Sequence, residues 1–206
     1  IQLAHAGRKA GMQSAMEGNG PLTDKEVRTG RQRWQPVAPA TTPISPEWPT
    51  PHQLSVSEIT DLVGSFAAAA RRAVRVGFEI VEIHGAHGYL LHSFYSPLAN
   101  KREDSYGGTF ENRIRLILEV TQAVRGEWPE DKPLLCRIST TDWVEGGWTV
   151  EDSIALARRL KAEGVDLKIA VVTGDERHRG QTWGSASVGV GTWGLGGWRP
   201  GRLAQE

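Results

Sequence analysis

Apolar positions along the chain switch between helical and strand spacing, in an order that predicts a parallel α/β architecture. In residues 55–77, "SVSEITDLVGSFAAAARRAVRVG", the positions Ile59, Leu62, Val63, Phe66, Ala70, Ala73 and Val74 recur at helical spacing. Ser55 and Glu58 have the spacing of a capping box, and Gly77 supplies a stop. "FEIVEI" at 78–83 then reads as a short buried strand. The alternation repeats. "FENRIRLILEVTQAVRGEW" is amphipathic through Ile114, Ile117, Leu118, Val120 and Val124, with Pro129 and Pro133 framing its exit, and "LLCRIS" at 134–139 is the next strand. "TVEDSIALARRLKAEG" predicts a helix from Thr149, with Asp152 in capping-box spacing, to Gly164; "VDLKIAVV" predicts a further strand. Single helices between strands are the mark of parallel βα units.

The two ends of the chain are less regular. Ile1 to Leu3 read as the end of a strand, followed by a polar, Gly-containing segment and a Pro-rich stretch, "PVAPATTPISPEWPTP", that predicts a long covering loop. From Lys168 to Glu206 the chain reads as a Gly/Trp-rich tail, with no helical or strand period after Val172. Periodicity alone leaves a barrel and an open doubly wound sheet both available. The lack of a Gly-rich phosphate turn directly between a strand and a helix argues against a dinucleotide-binding domain.

Composition narrows the function classes. A chain of 206 residues suits one domain with a real core. Lys+Arg and Asp+Glu both number 24, so charge gives no reason to expect nucleic acid or an anionic membrane as partner. The apolar runs fall far short of the ~20 residues of a membrane span. A lone Cys136 rules out an internal disulfide framework and fits a reducing compartment, with the cytoplasm as the expected location. The opening "IQLAHAGR", without an initiator Met, reads as part of something longer.

Candidate chemistry gathers where strands end, as parallel sheets dictate. Gln2 lies in the first strand remnant, His84, His87 and Tyr89 follow "FEIVEI", and Arg137 sits inside "LLCRIS". An Arg within an apolar strand is costly unless an anion, a carbonyl or a structural ion pair meets it. The histidines admit three readings. His84-x-x-His87 can place two imidazoles on one metal, with His92, Glu82 or Asp104 completing the set. The same pair can donate hydrogen bonds to a substrate oxygen, with a phenol nearby as proton source. Or they are solvated loop residues. "NKREDSYGG", dense in charge, reads as a solvated turn.

"QLAHAGR", "VEIHGAHGYLLHSFYSPLANKREDSYGGTFENRIRL" and "LLCRISTTDWVEGGW" together resemble the old yellow enzyme family of FMN-dependent oxidoreductases, over residues 1–167. The Pro-rich "PEWPTPHQLSVSEI" is similar to the loop before a barrel helix in bacterial members. The resemblance implies a (β/α)8 barrel holding FMN at the C-terminal face of its strands, of which this chain supplies roughly strands 3 to 6. It implies NAD(P)H as reductant and reduction of the C=C bond of an enone or related electrophilic alkene. It makes Gln2 and Arg137 cofactor-binding residues, His84 and His87 the substrate grip, and Tyr89 the catalytic proton donor; His92 receives no role. On this reading the domain spans 1–167 and the tail 168–206 departs from the family, through a shifted reading frame or a divergent end. A non-catalytic barrel fragment without cofactor and a metal-dependent hydrolase using His84 and His87 are the competing classes, and self-association stays open.

Overall fold

The computed structural model describes residues 1–18 and 20–171. After strand β1 (Gln2–Leu3) come the short helix α1 (Asp24–Arg28), a small pair of strands β2 (Val37–Ala38) and β3 (His52–Gln53), and the long helix α2 (Val56–Arg75). Strand β4 (Val81–Gly85) is followed by helices α3 (Leu90–Tyr95) and α4 (Phe110–Glu127). Strand β5 (Leu134–Ser139), helix α5 (Val150–Ala162) and strand β6 (Leu167–Val171) complete the described chain. The main sheet runs β1-β4-β5-β6 with every pairing parallel, and β2 and β3 form a separate parallel pair. Strands added in chain order, each through one helix, are how a (β/α) barrel grows. Among the described residues the sheet is an open arc of such a barrel.

Local chemistry explains the helices. At α2, Ser55 Oγ accepts the Glu58 N–H (3.3 Å) while the Glu58 carboxylate accepts the Ser55 N–H (2.7 Å). Thr149 and Asp152 close the same reciprocal pair at α5, both bonds at 3.1 Å. Ile59, Phe66, Ala70 and Ala73 of α2, Ile114, Ile117, Val120 and Val124 of α4, and Leu156 and Leu160 of α5 are buried against one side of the sheet. The strands answer with Leu3, Val81, Ile83, Leu134, Cys136 and Ile138. Each large side chain so buried is worth roughly 1.5–3 kcal/mol. Among the described residues no helix is long and apolar enough to cross a membrane.

Several expectations move. The strand predicted at 78–83 begins at Val81 and runs on through His84 and Gly85. Phe78 and Ile80 are left 40% and 48% exposed, because the Phe78 N–H still donates to Ala73 O (3.1 Å) at the end of α2. Helix α3, buried at every position, stands where a loop was expected. Residues 168–171, assigned to the tail by the sequence reading, form most of β6; residues 172–206 lie outside the described residues. The charged run is no solvated turn at Arg102, which is 5% exposed. Its guanidinium grips Asp104 through two nitrogens (2.9 and 2.5 Å), donates to Leu54 O (2.5 Å) and lies 5.8 Å from the Phe94 ring centroid. That ties the loop after α3 to the segment entering α2.

Candidate active site

Residues in register on parallel strands share a face. Gln2 stands opposite Glu82, and His84 opposite Arg137. By strand alternation Gln2, Glu82, His84, Arg137 and Ser139 therefore line one face of the sheet, the one away from the helices. His84 is thus a strand residue rather than part of the loop after it.

Glu82 organises the lower row. It accepts a hydrogen bond from Gln2 Nε2, and its Oε1 lies 3.4 Å from Arg137 Nε. The ion-pair reading of Arg137 is therefore realised in part. Its Nε is buried and makes no hydrogen bond among the described residues, the geometry toward Glu82 being too poor for one. A guanidinium and a carboxamide on one face can together meet a ring edge that offers carbonyl oxygens and an N–H.

One step higher sit the histidines. His84, 5% exposed, accepts the Ala86 N–H at Nδ1 (3.1 Å), which places its own proton on Nε2. That nitrogen lies 3.1 Å from His87 Nδ1, so the His87 proton belongs on Nε2 as well. Burial, then the charges of His87 and Arg137, push His84 down to about 4. Burial, then Arg137 and Lys9, lower His87 in the same direction. Near pH 7 the pair is neutral and offers N–H donors without charge. The Tyr89 ring lies 5.0 Å from His84 and 6.4 Å from His87, centroid to centroid.

His87 adopts a left-handed backbone, φ +61°, uncommon for a residue with a side chain. Two bonds hold it there: its N–H donates to Ser139 Oγ (3.0 Å), and Lys9 Nζ donates to its carbonyl (2.7 Å). Gly88 follows at φ +69°, and a Cβ at that position would lie 3.1 Å from Lys9 Nζ. Just behind, Tyr95 OH donates to Gly85 O (2.7 Å) and accepts the Ser139 N–H (3.0 Å), joining the ends of β4 and β5.

His92, without a role in the sequence reading, is buried in this same layer. Its Nδ1 accepts the Gly88 N–H (2.7 Å) and stands 3.1 Å from Ser139 Oγ; its Nε2 faces Asp142 Oδ1 at 3.0 Å. The other Asp142 oxygen accepts from Ser96 Oγ (2.6 Å) and the Trp148 N–H (2.9 Å). Burial works against the Asp142 charge, but these hydrogen bonds outweigh it and hold the carboxyl below its ordinary range. The residues proposed to complete a metal set thus turn elsewhere: His92 to Asp142, Asp104 to Arg102, Glu82 to Gln2 and Arg137. Among the described residues no group of three His, Cys, Asp or Glu could hold a metal.

The family model for the NADH:flavin oxidoreductase / NADH oxidase family matches residues 1–186. The chain belongs to this family. An NADH:flavin oxidoreductase of Gibberella zeae is 45% identical over 180 residues, covering 81% of this chain and 43% of that protein. An NADPH dehydrogenase of Geobacillus sp. is 43% identical over 167 residues, again 81% of this chain and 43% of the relative. The chain therefore spans less than half the length of these curated relatives. Among solved structures, morphinone reductase in complex with tetrahydroNAD superposes with a TM-score of 0.65 at 29% identity, over 82% of this chain and 47% of that one. A 2-naphthoyl-CoA reductase bound to 2-naphthoyl-CoA gives 0.66 at 32%, over 71% and 22%. The expected barrel architecture is thereby shown as a fold. Within this member of the old yellow enzyme family, sequence reasoning missed Glu82 as partner of Gln2 and Arg137, Lys9 as anchor of His87, and the His92–Asp142 pair. Only Lys9 lay inside a motif whose place near the site was already suspected.

Proposed function

We propose that this chain carries the substrate grip and part of the flavin seat of an FMN-dependent NAD(P)H oxidoreductase, one that reduces the C=C bond of α,β-unsaturated carbonyl compounds. The observation that carries the reading is the pair of neutral imidazoles, His84 and His87, with nitrogens 3.1 Å apart on the polar face beside Arg137. FMN, when bound, supplies the hydride drawn from NAD(P)H. Gln2 and Arg137 fit the carbonyl and imide edge of its pyrimidine ring, since the buried Arg137 Nε has a hydrogen bond left to give.

The remaining chemistry belongs to the side chains. His84 and His87 donate through Nε2–H to the carbonyl oxygen of the substrate. As hydride reaches the β carbon, negative charge grows on that oxygen and the fixed N–H donors bind it more tightly than the starting carbonyl. The Tyr89 hydroxyl delivers a proton to the α carbon, so the alkene gains one hydride and one proton. The names of the relatives, NADPH dehydrogenase and NADH:flavin oxidoreductase, support the redox class, and the ligands of the two reductases support a small-molecule substrate. A cytoplasmic setting belongs to the same proposal.

A flavin absorbance band in the purified chain, with His84→Ala and His87→Ala titrated against a para-substituted phenol, tests this. Each lost hydrogen bond to a phenolate-like oxygen should weaken binding by about 1.5–3 kcal/mol with the flavin band retained. Unchanged phenol affinity in both variants would remove the oxygen grip. A colourless chain that takes up no FMN would favour the non-catalytic fragment.

A further inference from the structure

His92 and Asp142 take no part in the chemistry proposed above, yet both side chains are more than nine-tenths buried, at 9% and 8% exposure. A buried carboxylate is retained only where its bonds repay desolvation. Asp142 has three, from His92, Ser96 and the Trp148 N–H. Because its second oxygen must accept from Ser96 and Trp148, and its first faces His92 Nε2, the carboxylate fixes one tautomer of that ring. His92 carries its proton on Nε2, leaving Nδ1 as a pure acceptor. The Gly88 N–H confirms the assignment by donating to Nδ1 at 2.7 Å.

The consequence runs to His87. Ser139 Oγ lies between His92 Nδ1 (3.1 Å) and the His87 N–H (3.0 Å). With Nδ1 an acceptor, the hydroxyl proton is directed toward His92, and its lone pairs are turned to the His87 amide. Both amides of the left-handed pair His87–Gly88 are thereby held from one buried point, φ +61° and +69°. We propose that His92 and Asp142 form a positioning dyad that, through Ser139 and Gly88, sets the left-handed backbone of His87 and so aims its imidazole beside His84. Its value for catalysis rests on the oxygen-grip reading above; the positioning itself does not.

Asp142→Asn is the sharpest probe, being nearly isosteric but opposite in polarity at one atom. If its oxygen stays with Trp148 and Ser96, its amide faces His92 Nε2, forcing the ring proton to Nδ1 against the Gly88 N–H. Ring nitrogen shifts of the histidines, followed by NMR against pH in the full 206-residue chain, read the outcome without cofactor. The groups that face His87 are His84, His92, Arg137 and Lys9, and only its backbone hold changes in the variant. The expected result is a change of His92 tautomer and a rise of the His87 titration toward its ordinary value of 6.5. Ser139→Ala should raise it in the same direction while leaving the His92 tautomer as it was, and it serves if Asp142→Asn fails to fold. Leu156→Ala, a distant core truncation, should lower the melting temperature and leave both signals unmoved. Wild-type His87 titration in Asp142→Asn or Ser139→Ala would overturn the dyad. In a flavin-loaded sample Asp142→Asn should weaken phenol binding roughly tenfold in the parent and much less in a His87→Ala background. Equal weakening in both backgrounds would overturn it. If His87→Ala itself leaves phenol affinity intact, the oxygen grip falls while the NMR result still decides the dyad.

Discussion

The two faces of one sheet divide the work of this protein. On the helix side, Val81, Ile83, Leu134 and Cys136 are fully buried among α2, α4 and α5. The face is so tight at Gly85 that a Cβ there would come 2.6 Å from Ile117 Cδ1. Burial also pushes the Cys136 thiol up to about 12, which leaves it chemically silent. On the other face the same strands present Gln2, Glu82, His84, Arg137 and Ser139, where burial shifts protonation instead of filling space. A strand whose side chains alternate between these two environments lets stability and chemistry be altered separately.

That separation can be attacked from either side. The largest effect belongs to the polar side: Tyr89→Phe should slow substrate protonation by about 10²–10⁴-fold with the unfolding midpoint unchanged. Stopped-flow measurement of the two half-reactions checks it, because reduction by NAD(P)H needs no proton from this phenol. Equal slowing of both half-reactions would mean that packing and chemistry are not separable there. On the covered side, Ile83→Ala should cost about 2–5 kcal/mol in denaturant unfolding through the cavity it leaves.

His84 is where the faces meet, and pH reads it. Its titration is lowered from 6.5 to about 4, so the unfolded chain takes up a proton that the folded chain refuses. Stability is therefore full above pH 6.5 and falls as the pH drops from there through 4, by roughly 1–2 kcal/mol after solvent screening. Urea curves at pH 7 and pH 4.5 should show this loss in the parent and a smaller one in His84→Gln. The smallest effect is expected between helices. Arg71 and Glu127 pair across α2 and α4 at the surface, and Arg71→Ala should leave the midpoint within error, because burial holds the helix layer to the sheet.

How far the sequence could be read follows the same division. Elements with one wet and one dry side announced themselves: α2, α4 and α5 by helical spacing and caps, β5 by an apolar run whose bounds agree with the strand. Strand β4 was displaced because its apolar-looking start, Phe78 and Ile80, is exposed while its end carries the polar face. Helix α3 has no contrast to detect, since all six of its residues are buried. Helix α1 did carry a signal, Thr23 and Glu26 at capping-box spacing, within a stretch read only as polar. The roles of Gln2, Arg137, His84, His87 and Tyr89 came from motif resemblance and remain proposals, although the sheet brings all but Gln2 within one cluster around the ends of β4 and β5. His92 and Asp142 stand 50 positions apart in sequence, and no local pattern links them.

The Tyr95 hydroxyl, set between Gly85 O and the Ser139 N–H, gives the site a built-in clock. A phenol that donates to one strand and accepts from the next acts as an extra rung, so the Ser139 amide is shielded for as long as Tyr95 stays seated. Deuterium can reach that amide only when the buried helix α3 lifts away from the strand ends. The exchange lifetime of one backbone proton thus measures how often the floor beneath His87 opens, a motion on which both ligand entry and proteolytic vulnerability depend.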